Sequence, residues 1–338
     1  MAFHGGGGGG WGSIRYQAKL TQKADSVGFI VVYPEGRKTT GTSYRGWNAG
    51  ECCYPSSTDS VDDVEFVNVM LDTLISRYHV DQKRIYAAGS SNGAMFCLRL
   101  ACELSERITA IAVNAGSQTF PDCHPIRAVP IINFHSTIDS TVSYFGGVGT
   151  ESVIYGVNFI SQDSLMNVWQ SLNECSHRDT VVNGGDSSYT LIRISDCGCS
   201  WSFMDFYTTT DGGHSWPGGK PNVDPASTQV SATVQMWKFF LQHVIHCENP
   251  KLGISNPADN NFFTVFPNPV QGNEFEIELF NPSGKNYLSI YDLTGRKLLE
   301  KKLSNDFSEK IYFPAPTGMY LLQVKTDFGT TTMKLAVQ

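Results

Sequence analysis

Up to Val244 the chain alternates between short runs of consecutive apolar residues and longer stretches with helical spacing. Gly28–Tyr33 (GFIVVY) is β-branched, ends at Pro34 and reads as a buried strand. From Val61 to Tyr78 the apolar residues Val64, Val67, Leu71, Leu74, Ile75 and Tyr78 recur as on one face of a helix. Asp59 or Ser60 is placed to cap it, and Asp62 and Asp63 suit its first turn. Arg84–Ala88 predicts the next strand, followed at once by Gly89 and by a helix over Ala94–Leu104. Thr109–Val113 and Val129–His135 are two more apolar runs. Between Tyr144 and Ser200 the pattern weakens, apart from a helix over Ser164–Leu172. Ser202–Tyr207 predicts a final strand and Thr228–Val244 a final helix. Strands apolar on both faces, alternating with amphipathic helices, imply an α/β unit with a largely parallel sheet covered on both sides.

Residues 262–338 follow a period of two. Glu274–Leu279, Tyr287–Tyr291, Met319–Val324 and Thr331–Ala336 alternate, and are separated by turns such as Asn281-Pro282-Ser283-Gly284 and Leu293-Thr294-Gly295. That pattern predicts a small all-β sandwich. Between the two lies Asn249-Pro250-Lys251-Leu252-Gly253-Ile254-Ser255-Asn256-Pro257, which reads as a linker. The expected organisation is therefore an α/β domain over 1–248, a linker over 249–261 and a sandwich over 262–338.

Composition narrows the function. Of 338 residues 41% are hydrophobic and 17% charged, which supplies a sizeable core and excludes global disorder. The net charge of −7 argues against nucleic acid or an anionic membrane as partner, and no apolar run approaches the roughly 18 residues of a span. Residues 1–261 carry 17 basic and 24 acidic side chains, whereas 262–338 carry 8 of each. All 9 cysteines precede residue 248, without a C-x-x-C pair. Disulfides in an exported protein are the better reading, and the odd number leaves at least one thiol free. Met1–His4 nevertheless runs straight into six glycines, without the basic start, apolar stretch and cleavage site of a signal peptide.

The chemistry gathers around Gly89-Ser90-Ser91-Asn92-Gly93, a G-x-S-x-G between a predicted strand and a predicted helix. Such a turn lifts the central hydroxyl into a cleft, and the helix N-terminus favours a developing oxyanion. A serine nucleophile needs a base, and the base needs an orienting acid. In this architecture they follow the serine in the order acid, then histidine. Asp139 lies just past the Val129–His135 strand, and His214 sits on the glycine-rich loop after the last strand. Asp211 is the rival acid, though its short spacing from His214 suits a turn. His79, His243 and His246 are helix-end positions, His124 and His177 stand in cysteine-bearing loops, and His135 is expected to pack at a strand end. His4-Gly5-Gly6-Gly7 offers a glycine loop whose backbone can supply a second oxyanion N–H, the first coming from Asn92.

These linked motifs resemble the extracellular polyhydroxybutyrate depolymerase-like, feruloyl and acetylxylan esterases of carbohydrate esterase family 1. The resemblance runs from His4 to about Val244 and is carried by His4-Gly5, Gly28–Gly36, Gly46–Gly50, Val61–Val64, Arg84–Met95, Arg99–Cys102, His135–Asp139 and Gly212–Gly218. Ser136 stands where that family usually has glycine, and Ser140 where it often has proline. The resemblance implies an α/β-hydrolase fold with a Ser91–Asp139–His214 triad and an oxyanion hole at Asn92, Gly5 and Gly6. It also places Trp47 and Trp216 along the substrate cleft, where an aromatic face could stack on a phenolic acyl group or a sugar. No metal or cofactor is called for. Cys175–Cys197 is the favoured disulfide, tying the weakly patterned region to the final strand, while adjacent Cys52 and Cys53 are expected to pair elsewhere.

The C-terminal region resembles the type A sorting domain of the type IX secretion system. Phe266-Pro267-Asn268-Pro269, Ile290–Arg296, Pro316–Tyr320 and the closing run Met333–Gln338 carry that resemblance. It implies the secretion machinery as a partner and a secreted or cell-surface location. A carbohydrate-binding sandwich is the rival, but its exposed aromatic face is not evident in the alternation. An export tail calls for a signal peptide upstream. In this family three strands precede the oxyanion loop, so Met1-Ala2-Phe3 is expected to be the tail of the third, between Gly28–Tyr33 and the nucleophile strand. The chain thus reads as an N-terminally truncated fragment lacking its first strands. Together these expectations describe a secreted serine esterase acting on feruloyl or acetyl esters of plant polysaccharide. A polyhydroxyalkanoate depolymerase, a peptidase on the same fold and a non-catalytic carbohydrate-binding protein are the alternatives.

Overall fold

The computed structural model describes residues 1–7, 9–38, 43–53, 61–149, 156–182, 189–198, 202–222, 224–245, 263–279, 285–304, 308–326 and 329–338. The chain divides into two compact units, Met1–Glu248 and Asn249–Gln338. The expected linker over 249–261 lies outside the described residues, as do Asp59, Ser60, Cys199 and Cys247.

In the first unit the elements run β1 (Ala2–Phe3), α1 (Gly10–Ala18), α2 (Leu20–Val27), β2 (Arg37–Lys38), β3 (Arg45–Gly46) and α3 (Asp63–Arg77). Next come β4 (Tyr86–Ser90), α4 (Asn92–Glu103), β5 (Ala110–Asn114), β6 (Ile131–Ser136), β7 (Gly147–Val148) and β8 (Asn158–Phe159). The unit closes with α5 (Gln162–Leu172), β9 (His177–Val182), β10 (Thr190–Ser195), β11 (Met204–Thr209) and α6 (Ala232–Leu241). A seven-stranded sheet has the order β1-β4-β5-β6-β11-β10-β9. From β1 to β11 neighbouring strands are parallel, whereas β10 is antiparallel to both β11 and β9. This is a largely parallel α/β sheet with an antiparallel edge and apolar layers on both faces. One layer gathers Phe96, Leu98 and Leu100 of α4 with Leu165 and Trp169 of α5. The other gathers Ile14 and Ala18 of α1 with Met236 and Phe240 of α6.

The sheet's centre is narrow-packed because its residues are small. A Cβ added at Gly89 would meet the carbonyl oxygen of Gly93, and one added at Gly93 would meet the carbonyl oxygens of Phe3 and, at 2.5 Å, His4. Glycine at these positions therefore lets β1, β4 and the first turn of α4 converge. β1 lies parallel to β4, Ala2 opposite Ala88 and Phe3 opposite Gly89, and Ala2 N–H donates to Val32 O at 2.8 Å.

Three expectations need correction here. Gly28–Tyr33 is extended beside β1 but lacks a strand's ladder, and Ile30 is 60% exposed. The segment lines an open apolar groove with Leu74, Ile75, Tyr78 and Trp237 instead of being enclosed by the sheet. Helix α3 is capped by Asp62, whose carboxylate accepts from Glu65 N–H at 2.9 Å, while Asp63 is buried and accepts from Asn48 N–H at 2.7 Å. The weakly patterned region contains β9 and β10. β9 (HRDTVV) is an edge strand, exposed along nearly its whole length, so it carries no apolar period to read.

The disulfides are Cys52–Cys53, Cys102–Cys123 and Cys175–Cys197, and Cys97 is a buried free thiol. Cys52 and Cys53 thus pair with each other, contrary to expectation, both being buried together in the core. Cys175–Cys197 closes the residues flanking the β9–β10 hairpin and does not reach the final strand.

The second unit comprises β12 (Phe263–Phe266), β13 (Glu274–Leu279), β14 (Tyr287–Tyr291), β15 (Lys297–Lys302), β16 (Ser308–Tyr312), β17 (Gly318–Thr326) and β18 (Gly329–Val337). They form two antiparallel sheets, β12-β13-β16 and β15-β14-β17-β18, around a core that includes Phe275, Ile277, Leu288, Ile290, Leu322 and Leu335. The family-like motifs have structural duties. Asn268 of Phe-Pro-Asn-Pro donates through Nδ2 to Lys334 O and accepts from Ala336 N–H, both at 2.9 Å. Asp292 Oδ1 accepts from Thr294 N–H at 2.9 Å and Arg296 N–H at 3.0 Å, closing a turn whose Gly295 has φ 86°. Tyr320 donates to Pro316 O at 2.7 Å. Among the described residues no helix is long and apolar enough to cross a membrane.

Candidate active site

Ser91 sits between β4 and α4 with φ 55° and ψ −125°, a conformation that L residues rarely adopt. The turn is held from both sides. Ser91 N–H donates to Asn114 O at 2.9 Å, and Ser91 O accepts from Ala94 N–H at 2.9 Å and Met95 N–H at 3.0 Å. Asn92 N–H is one of the first-turn donors that a helix leaves without an intrahelical partner. The Asn92 side chain is buried and faces away from this task, accepting from Trp47 N–H at 2.7 Å and donating to Trp47 O at 3.0 Å.

The glycine loop lies against this turn. A Cβ built on Gly5 would stand 3.2 Å from Ser91 Cβ and 3.9 Å from Ser91 Oγ, so the bare glycine keeps this loop close against the serine turn. Gly6 lies against the Tyr44 hydroxyl. His4 anchors the loop. Its Nε2 accepts from Gly36 N–H at 2.9 Å, which puts the ring hydrogen on Nδ1, donating to Gly5 O at 2.7 Å. Burial pushes this imidazole below its ordinary value, so it stays neutral in both contacts.

Asp139 follows β6 and His214 follows β11, strands that are adjacent and in register, His135 opposite Thr208 and Ser136 opposite Thr209. That adjacency brings the two side chains together: His214 Nδ1–H donates to Asp139 Oδ2 at 2.8 Å. Asp139 Oδ1 accepts from Thr141 N–H and Val142 N–H, each at 2.9 Å. Burial opposes ionisation of this carboxyl. The His214 hydrogen bond, the neighbouring imidazoles and the Val142 N–H outweigh it and hold the group below the ordinary carboxylate range. Asp211, the rival acid, is taken up elsewhere. It accepts from Ser227 Oγ, Thr228 N–H and Thr228 Oγ1 and stabilises the next loop. Ser136 donates through Oγ to Asp211 O at 3.1 Å.

With Nδ1 engaged, His214 Nε2 is the ring atom left to act as a base. Among the described residues the Ser91 hydroxyl forms no hydrogen bond, and such contacts commonly tighten only when substrate binds. Two supports escaped the sequence. Asp224 accepts His214 N–H at 2.9 Å and receives Ser215 Oγ–H through its backbone carbonyl, with no motif to mark it. His135 reads in the sequence as a strand end that opens the His135–Asp139 motif, with no role assigned, yet its Nε2 lies 3.4 Å from Asp139 Oδ2. The expected aromatic cleft is not there. Trp47 is fully buried, stacked on Phe96 at 5.2 Å between ring centroids, and donates to His4 O. Trp216 is also fully buried and donates to Thr233 Oγ1 at 3.0 Å. Neither indole offers a face to substrate; both brace the loops that carry Gly5 and His214.

This geometry agrees with the comparisons to known proteins. Residues 13–162 match the family model described as Esterase PHB depolymerase. Residues 264–338 match the Secretion system C-terminal sorting domain. Both resemblances read from the motifs are thus found. The esterase match spans Ser91 and Asp139 and leaves the His4 loop and His214 outside it. Among curated proteins the chain is 34% identical over 166 residues to a feruloyl esterase B of Piromyces equi, covering 47% of this chain and 29% of that protein. It is 32% identical over 121 residues to a bifunctional acetylxylan esterase/xylanase of Neocallimastix patriciarum, covering 36% of this chain and 16% of the relative. A putative esterase of Nocardia uniformis subsp. tsuyamanensis is 29% identical over 241 residues, 67% of each chain. The chain therefore spans less than a third of the first two relatives.

Proposed function

We propose that the chain is a secreted serine carboxylic ester hydrolase acting on feruloyl or acetyl esters of plant polysaccharide. The observation that carries this reading is the hydrogen bond pinning His214 to Asp139, at the same end of the sheet as the strained Ser91 turn. His214 Nε2 takes the Ser91 hydroxyl proton as Oγ bonds to the ester carbonyl carbon. Asn92 N–H and the Gly5-Gly6 backbone hold the resulting oxyanion. His214 then returns the proton to the departing alkoxide oxygen, leaving an acyl-serine. Water gives a proton to His214 and its hydroxide adds to the acyl carbon. Collapse releases the acid and restores the Ser91 hydroxyl. Asp139 stays ionised throughout, fixing the tautomer and balancing the imidazolium.

The substrate class is suggested by the feruloyl and acetylxylan esterase relatives, and export by the sorting-domain match. A short polyhydroxyalkanoate ester is the second reading, favoured by the description of the family model itself. The test is a fluorophosphonate probe on the intact chain, with the adduct mapped by mass spectrometry. Labelling of Ser91, absent in His214→Ala, supports the reading, and rates on feruloyl, acetyl and hydroxybutyrate esters then rank the substrates. Folded protein with an unlabelled Ser91 sinks it.

A further inference from the structure

His135 is the last-but-one residue of β6 and is wholly buried. Its Nε2 lies 2.8 Å from Val142 O and 3.4 Å from Asp139 Oδ2. A carbonyl oxygen and an ionised carboxylate can only accept, so Nε2 must carry the ring hydrogen. Nδ1 is then bare, and it has no partner among the described residues. The ring meets Tyr144 edge-on, 5.9 Å between centroids, and shares its face of β6 with Asn133, whose Nδ2 donates to Gln162 of α5 at 3.1 Å. The ionisable groups facing it are Asp139, His214 and the Tyr144 phenol. Burial pushes the imidazole down, Asp139 and the Val142 carbonyl pull it back up, and His214 pushes it down again. Burial also raises the Tyr144 phenol, which stays neutral.

We propose that His135 is a positioning residue for the Asp139–His214 pair. It acts as a neutral Nε2–H ring that clamps the turn from Asp139 to Val142 and leans on the carboxylate oxygen that His214 uses. The turn wraps Asp139 Oδ1 with two N–H donors, and His135 ties down the carbonyl at the turn's far end. Without that donor, Val142 O would be buried and unpaired, and the Thr141 and Val142 N–H groups on Asp139 Oδ1 would lose their clamp. A carboxylate whose N–H donors loosen is a stronger base and fixes the orientation of its paired imidazole less firmly. For its kinetic consequence this inference rests on the hydrolase reading. The tautomer belongs to the chain whether or not it hydrolyses esters.

The first measurement is imidazole 15N NMR of the intact wild-type chain. His135 should appear as the neutral Nε2–H tautomer throughout about pH 5 to 8, the range in which an ordinary histidine titrates. An Nδ1–H tautomer, or a charged ring in that range, overturns the proposal. The second compares His135→Phe, which keeps a ring but no donor, with His135→Gln, which keeps an N–H. In His135→Phe the acid limb of kcat/KM should move up, and kcat should fall about tenfold with KM within about twofold. His135→Gln should recover most of both. A lower melting temperature with limb and kcat unchanged would make His135 a packing residue only and overturn the proposal. Should His135→Phe not fold, the tautomer and His135→Gln still decide it, since a Gln variant with a displaced limb contradicts the donor's role. Ser91 labelling checks the hydrolase reading separately.

Discussion

The two sides of the first unit's sheet are built on different principles. From β4 to β6 every strand is parallel and its residues are almost wholly buried, and Ser91 and Asp139 follow directly from the ends of β4 and β6. At the other side β9 and β10 form an antiparallel hairpin with a wet face, closed by a disulfide and tied to β11 by the ion pair of Arg193 with Asp205 at 2.7 Å. Buried parallel strands can only end in loops on one side, and that is where convergent chemistry can be assembled. An edge hairpin can be varied without moving that chemistry. The difference teaches that rate and stability are separable in this molecule, and substitutions can break or sharpen that separation.

The largest effect is expected from Ser91→Ala, which should remove ester hydrolysis by on the order of 10⁶-fold while leaving the melting temperature nearly unchanged, checked by kinetics and calorimetry on one sample. Asp139→Asn should follow, with a loss on the order of 10⁴-fold from the wrong imidazole tautomer. It also has a signature in stability. The Asp139 carboxyl lies below its ordinary value in the folded chain, so its contribution is present above the ordinary carboxylate range and is lost as pH falls through the folded value. Melting temperature against pH should therefore decline less steeply in the Asn variant. Gly93→Ala tests the centre itself. Its Cβ would press on the Phe3 and His4 carbonyls, costing at least about 3 kcal/mol, the upper end of the usual range for overpacking, with rate and fold lost together. A soluble, active Gly93→Ala would refute the close convergence described for β1, β4 and α4.

At the hairpin the pattern should reverse. Cys175→Ser with Cys197→Ser opens a link of sequence separation 22 and should cost roughly 3 kcal/mol in denaturant unfolding, with kcat/KM per folded molecule unchanged. Smallest of all, Arg178→Ala loses exposed contacts to Asn167 and Gln170 and should change stability by less than about 0.5 kcal/mol. A large rate loss in either variant would show that the hairpin shapes the site after all.

Legibility in the sequence followed the same divide. β4, β5, β6 and α4 could be read because burial on both faces leaves continuous apolar runs, and the serine turn because its glycines are sterically compelled. β9 was silent because an exposed edge strand needs no apolar period. Gly28–Tyr33 misled in the other direction: its apolar run lies against the sheet margin without joining the ladder. The tryptophans misled because an indole that braces a functional loop and one that lines a cleft leave the same trace in one dimension. Asp224 reaches the His214 backbone from ten residues further along the chain through a contact that no local pattern encodes.

Asn268 has a consequence for how the tail can be read by another molecule. By bonding to Lys334 and Ala336 it makes the first motif of the second unit and the strand that ends it one object. A receptor that inspects either stretch is inspecting both. Trimming a few residues from the carboxyl end would therefore also unlatch Phe266-Pro267-Asn268-Pro269, whose Asn268 lies 66 and 68 positions upstream of its two partners.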